Sequence, residues 1–159
     1  MRTLAVMIGC MLATATIASG AEPTLPTKPV LTLEAALHVA NAARDEAVKR
    51  HATVVIAVVD DGGHLIVLHR LDDTQVASVE VGIGKARTAA IFRRPSREFE
   101  EQIRNGRVAA LALPGATPLQ GGIPLTAAGH VVGAIGVSGN TPQEDEDIAK
   151  VGAAAFAAP

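Results

Sequence analysis

The side chains with the widest chemical range in this sequence are five imidazoles, His38, His51, His64, His69 and His130. A neutral imidazole ligates transition metals through either ring nitrogen, and it titrates near physiological pH, so it serves as metal ligand or as general base. Competing ligands are scarce. Arg2, the apolar run from Leu4 to Ile17 and the small residues Ala18-Ser19-Gly20-Ala21 read as a secretory signal peptide over 1–21. An uncleaved anchor is the competing reading, but the apolar run is short for a bilayer span. Cleavage removes Cys10 with Met1, Met7 and Met11, and Trp and Tyr are absent throughout. The mature chain then has no thiol, disulfide or thioether. That excludes a Cys nucleophile, a Cys zinc site, and Cys, Met or Tyr ligation of haem iron. Histidine is the soft ligand left.

The same cleavage leaves 13 basic residues against 16 acids, a formal charge of −3. A mildly acidic chain with few aromatic platforms is a poor nucleic-acid binder. The expected location is outside the cytoplasm, periplasmic or secreted, with no membrane span after cleavage. The 159 residues suit one domain. Residues 22–30, with three prolines, read as a flexible mature N-terminus, and 31–157 as the folded part.

These imidazoles must be held by definite elements. Val54–Val59 is an unbroken β-branched and apolar run, followed by Asp60-Asp61-Gly62-Gly63 and a second apolar run from Leu65. Two such runs joined by Asp-Gly-Gly predict a hairpin, since the turn needs positive φ. The first run has no polar alternation and is expected to be a central strand covered on both faces. In the second, Leu65, Val67, His69 and Leu71 share one face, with His64, Ile66, Leu68 and Arg70 on the other. His64 follows the turn and is placed to enter a pocket at the hairpin end, or simply to flank the turn. A local ion pair with Asp72 or Asp73 accounts for His69 and Arg70.

Thr32 is positioned to cap a helix from Leu33 to about Lys49. Leu33, Ala36, Leu37, Ala40, Ala43 and Ala47 form its apolar stripe. His38 lies about 140° from Leu33 at 100° per residue and is expected to face solvent or a partner subunit. Val76 to Phe92 has helical spacing, with Val76, Val79, Ile83, Ala86 and Ala90 on one face and further apolar residues around Lys85 and Thr88. A helix apolar nearly all round is buried, and Gly82 and Gly84 within it imply a close neighbour. Lys85 is therefore a cation on a covered helix, open to an anion or snorkelling to the rim. Pro95 ends that helix, leaving Arg93-Arg94 to meet an anion or solvent.

A short helix from about Ser96 to Arg104 is expected to bury Phe99 and Ile103. The Gly/Pro-rich stretch Leu113–Pro124 has no ordinary secondary structure, and Gly121-Gly122 would let backbone amides approach a ligand. Ile123–Ala128 and Val131–Ser138 predict a second hairpin, in which Gly133 and Gly136 imply close packing or a bulge. Thr141-Pro142-Gln143-Glu144 is a capping box opening a last helix to about Phe156. Its acids, Glu144 to Asp147, suit a positive helix end; a metal cluster is the sharper reading. The whole is α+β: an antiparallel sheet built from two hairpins, with helices packed on it, in a single domain.

The segments VVDDGGHLIVLHRLDD, VASVEVGIGKARTAAIF, PLQGGIPL and GHVVGAIGVSGNTPQEDEDIA, in this order, resemble the GlcG/HbpS family from about Leu31 to Phe156. The matching motif residues are Gly62, Gly63, His64, Arg70, Lys85, Thr88, Gly121, Gly122 and Pro124. Asp72-Asp73 departs from the small residue that usually follows the arginine motif. The resemblance implies an exported haem-binding protein that forms a homo-oligomer, typically an octamer, with some members linked to haem breakdown and redox sensing. Others resemble the GlcG protein of glycolate-utilisation loci or the C-terminal domain of PduO-type adenosyltransferases. In at least one relative a histidine of the first helix ligates haem; here His38 is the only histidine on that helix, which makes it the candidate metal ligand. Lys85, Arg70 or Arg87 would then pair with the propionates.

Two alternatives stand beside this reading. One is an enzyme or accessory protein acting on a small carboxylate, with Gly121, Gly122 and Lys85 holding the anion and His64 as base. No Ser-His-Asp spacing or paired-carboxylate motif supports it. The other is a non-catalytic sensory or assembly module, expected if the Gly/Pro loop closes on itself.

Overall fold

The computed structural model describes residues 24–157. The segment read as a signal peptide lies outside them. Four helices and four strands follow in the order α1 (Leu33–Lys49), β1 (Val55–Asp60), β2 (Leu65–Arg70), α2 (Ser78–Ile91), α3 (Arg97–Arg104), β3 (Gly122–Ala127), β4 (His130–Ser138) and α4 (Pro142–Ala157). A short 3₁₀ turn, Val108–Ala112, precedes β3. None of these helices is long and apolar enough to cross a membrane.

The sheet is antiparallel in the order β2-β1-β4-β3. The two hairpins meet along β1 and β4, which makes β1 central as its unbroken apolar run requires. Its side chains alternate between two cores. Val54, Ile56 and Val58 join Ile135, Val137 and Leu125 against α1 and α4. Ala57 and Val59 join Ala134 against Ala86, Ala89 and Ala90 of α2. The sheet thus separates α1 and α4 from α2, and this separation governs which functional side chains can meet.

Local chemistry sets the element ends. Thr32 Oγ1 accepts from the Ala35 amide at 3.2 Å, the cap expected for α1. At the head of α4, Thr141 Oγ1 accepts from the Glu144 amide while the Glu144 carboxylate accepts from the Thr141 amide and hydroxyl, a reciprocated capping box. The β3–β4 turn has positive φ at both Ala128 and Gly129, the two-residue geometry whose twist matches the strands.

Three packing details differ from the sequence expectation. On α1 the buried stripe is Ala36, Val39, Ala40, Ala43 and Ala47, whereas Leu33 is 59% and Leu37 38% exposed. The cause is α4. A Cβ added at Gly152 would lie 2.9 Å from the Val39 carbonyl and 3.0 Å from Ala43 Cβ, so the two helices touch through small residues and α1 is turned accordingly. On α2, Val76 precedes the helix and is exposed; the buried face is the small-residue side, Gly82, Ala86, Ala89 and Ala90. Ile103 is only partly covered, while Phe99 is buried and packs on Phe92 with ring centroids 5.0 Å apart.

Candidate functional site

The rotation of α1 builds a surface groove. Leu33, Leu37, His38 and Asn41 project from its solvent side, and Phe156 near the end of α4 forms the opposite wall. The groove holds about 900 Å³, within the roughly 300–1,000 Å³ usual for cofactor and small-molecule sites. Its walls are mostly apolar, with Thr32, Glu34, Asn41 and the His38 imidazole as the polar groups. An exposed imidazole beside leucine and phenylalanine side chains is a donor set that fits haem: one nitrogen for the iron and apolar surface for the porphyrin.

The other candidates from sequence lie apart from this groove. Lys85 is 3% exposed and spent internally: Nζ donates to Asp145 Oδ2 at 2.7 Å and to the Val137 carbonyl at 2.9 Å. Thr88 is fully buried; its hydroxyl donates to the Gly84 carbonyl at 2.8 Å and accepts from the Thr117 amide at 2.7 Å. Arg70 donates to the Thr74 carbonyl at 3.0 Å, in place of the ion pair with Asp72 or Asp73. Arg87 donates to the Gly63 carbonyl. None of Lys85, Arg70 and Arg87 lines the groove, and the sheet stands between α2 and His38.

The Gly122 amide is not free for a ligand, and the Gly121 carbonyl accepts from the Val137 amide at 3.0 Å. The Gly122 amide donates to Ser96 Oγ at 2.8 Å, and its carbonyl accepts from the Ser96 amide. A Cβ at Gly122 would meet the Lys85 carbonyl carbon at 2.7 Å, so this glycine exists to let β3 approach α2. Pro124 sits on edge strand β3, where the missing amide is tolerated. The preceding loop is tied down as well, by Thr117 to Thr88 and by the Gln120 amide to Glu100 at 2.7 Å. His64 lies at the far end of β1 from Lys85: Asp60 pairs with Gly133, whereas Val137, the acceptor for Lys85, pairs with Ile56. The anion site assembled in sequence from Gly121, Gly122, Lys85 and His64 is therefore not a site in the fold.

A model of the family described as haem degrading protein HbpS-like matches residues 31–154. This chain belongs to the HbpS-like family. It is 42% identical over 114 residues to protein GlcG of Escherichia coli, spanning 72% of this chain and 85% of GlcG. A double mutant of HbpS from Streptomyces reticuli has the same fold at 37% identity and a TM-score of 0.75, over 90% of this chain and 97% of that one. A PduOC:Heme complex matches at 26% identity and a TM-score of 0.73, over 80% and 95% of the respective chains.

Within this HbpS-like domain, His64 and Asp60 form a polar turn. Asp60 Oδ1 accepts from the Gly62 and His64 amides at 2.9 and 2.8 Å, and Oδ2 lies 3.2 Å from His64 Nδ1. Partial burial opposes ionisation of Asp60, but these His64 and Gly62 contacts outweigh it and hold the carboxyl below its usual range. The acids of α4 are engaged by neighbouring cations or by the helix cap, with Lys150 near both Glu146 and Asp147. Asp145 takes Lys85, Glu146 takes Lys150 at 2.6 Å and Arg97 at 3.5 Å, and Glu144 serves the cap. Among the described residues no group of three His, Cys, Asp or Glu side chains could hold a metal ion.

Sequence reasoning missed the groove walls. The sequence places Leu33 and Leu37 on the apolar stripe of α1, and Phe156 joins them only through the α1–α4 contact. It also missed the pairing of Lys85 with Asp145 and the conformation of Arg93, whose φ of 56° lies in the left-handed region. That conformation costs a non-glycine residue roughly 1–2 kcal/mol. The last two had a cue: a lysine on a buried helix demands a buried acid, and helices commonly end in a left-handed residue, which here falls on a non-glycine position.

Proposed function

We propose that this protein binds haem or a related tetrapyrrole outside the cytoplasm, with His38 as the iron ligand and Leu33, Leu37 and Phe156 against the macrocycle. The observation that carries the reading is the exposed His38 imidazole on the wall of an apolar groove of cofactor size. The family match and the haem complex of PduOC support it. Haem bound there would supply an iron centre held by a proximal imidazole. The chain's own part is to bind and orient it.

The groove is open on one side and among the described residues is lined by no lysine or arginine, while Glu34 adds a negative charge. Both features fit a site completed by a second copy of the chain, which would cover the exposed Leu33 and Leu37 and bring cations for the propionates. We read the protein as a homo-oligomer on that basis, with an octamer the form the family resemblance implies. The tied-down Gly/Pro loop adds no reactive group to the groove.

The test is a haem titration of the mature chain, following the Soret band beside His38→Ala. Saturable binding that weakens by about tenfold or more in the variant, at unchanged far-ultraviolet circular dichroism, supports the assignment. An identical spectrum and affinity in His38→Ala moves the ligand elsewhere. No saturable shift in the wild type overturns the haem reading.

A further inference from the structure

We propose that a second cleft, between the two hairpin turns, binds a compact oxyanion, the carboxylate or phosphate end of a small molecule. The cleft holds about 320 Å³ and is lined by Lys28, Asp61, Arg93, Thr126, Gly129 and His130 among others. It shares no lining residue with the His38 groove, so it stands or falls independently of the haem reading.

The fold brings these residues together from four places. Pairing of Asp60 with Gly133 sets the β1–β2 turn, which carries Asp61, beside the β3–β4 turn, which carries Gly129 and His130. The first turn also rests on the end of α2: a Cβ at Gly63 would lie 3.3 Å from both Arg87 Cβ and Ile91 Cγ2. Arg93, just past that helix end, thereby enters the cleft. Lys28 arrives from the segment before α1, where Leu31 packs over Gly133.

Charge decides what the cleft accepts. Its single acid, Asp61, is already ion-paired with Lys28. Arg93 has no carboxylate partner among the described residues. Its neighbour Arg94 differs, lying 4.8 Å above the Phe99 ring and 3.9 Å from Glu98. A guanidinium, an imidazole and the Thr126 hydroxyl therefore face a small space whose one negative charge is answered. The planar guanidinium fork suits two oxygens of one carboxylate or phosphate. The volume, at the low end of roughly 300–1,000 Å³ for ligand sites, selects a compact ligand end over a large one.

The experiment is calorimetric titration with inorganic phosphate, acetate and malonate at constant ionic strength, which removes non-specific screening effects. The wild type is expected to bind at least one of them saturably below about 10 mM. Phosphate binding alone identifies a phosphate-type ligand, and acetate or malonate binding alone a carboxylate. Arg93→Gly removes the fork while placing glycine in the backbone conformation that favours it, so folding is preserved. It is expected to weaken binding by about tenfold or more, whereas Arg94→Gln leaves binding unchanged. Equal binding by Arg93→Gly and wild type, or no saturable binding by the wild type, overturns the proposal.

Discussion

Lys85 and Asp145 are 60 positions apart in the chain and 2.7 Å apart in the fold, both almost sealed from water. Asp145 also accepts from the Asn140 amide at 3.0 Å, so the pair ties α2 to the start of α4. Removing one member of a buried pair strands the other charge. Lys85→Met is expected to cost about 3–5 kcal/mol in urea denaturation, with much of it recovered in Lys85→Met/Asp145→Leu. His69 titrates below its usual value of 6.5, first because burial disfavours the imidazolium and then because Arg44 repels it. The unfolded chain therefore takes up that proton more readily, and stability falls as pH drops through 6.5 towards the folded value. The melting temperature of the wild type should decline between about pH 7.5 and 5, and His69→Gln should decline less. The Asp60 shift is also downward, and its contribution is lost only as pH falls below its ordinary value of 3.8, so the two windows separate.

At the scale of elements, the contact between α2 and the sheet is made by the absence of side chains. Cβ atoms at Gly136 and Gly122 would press on α2, the first 2.9 Å from Ala86 Cβ and the second 2.7 Å from the Lys85 carbonyl carbon. Both would also meet backbone of α2, which cannot step aside as a flexible side chain would. Gly122→Ala should lower stability by about 1–3 kcal/mol or more in chemical denaturation. It should also loosen the Ser96 contacts that fix the Gly/Pro loop, read as faster amide exchange at Gly122. An unchanged denaturation midpoint would show that β3 can shift outward, contrary to this account.

For the molecule as a whole, large apolar side chains remain at the surface, among them Leu33, Leu37, Val76, Val108 and Leu111. Light scattering on the mature chain should give a mass several times that of one subunit. Leu33→Glu/Leu37→Glu changes residues already in contact with solvent, so the subunit should still fold. If the groove closes by self-association, the variant should yield smaller assemblies and bind haem more weakly in the same preparation. A wild type that runs as a monomer would overturn the assembly reading and leave the groove to act alone.

Local interactions made much of this fold legible. The Asp-Gly-Gly turn, the Thr32 cap, the Thr141–Glu144 box and the unbroken run of β1 each depend on residues within a few positions of one another, so their outcome is written in the chain. The family resemblance and the exposed position of His38 were legible for the same reason. Rotation was not. Helical periodicity places Leu33 and Leu37 with Ala36, but the depth of each depends on how closely α4 approaches, and Gly152 sets that from more than 100 residues away. Lys85 was readable as a buried cation, yet only the tertiary structure shows that Asp145 neutralises it. Gly121 and Gly122 looked like ligand-facing backbone, because a glycine that admits a ligand and one that admits a helix are the same residue. The cleft of Lys28, Asp61, Arg93 and His130 has no sequence signature, since its walls come from four segments that only strand pairing brings side by side.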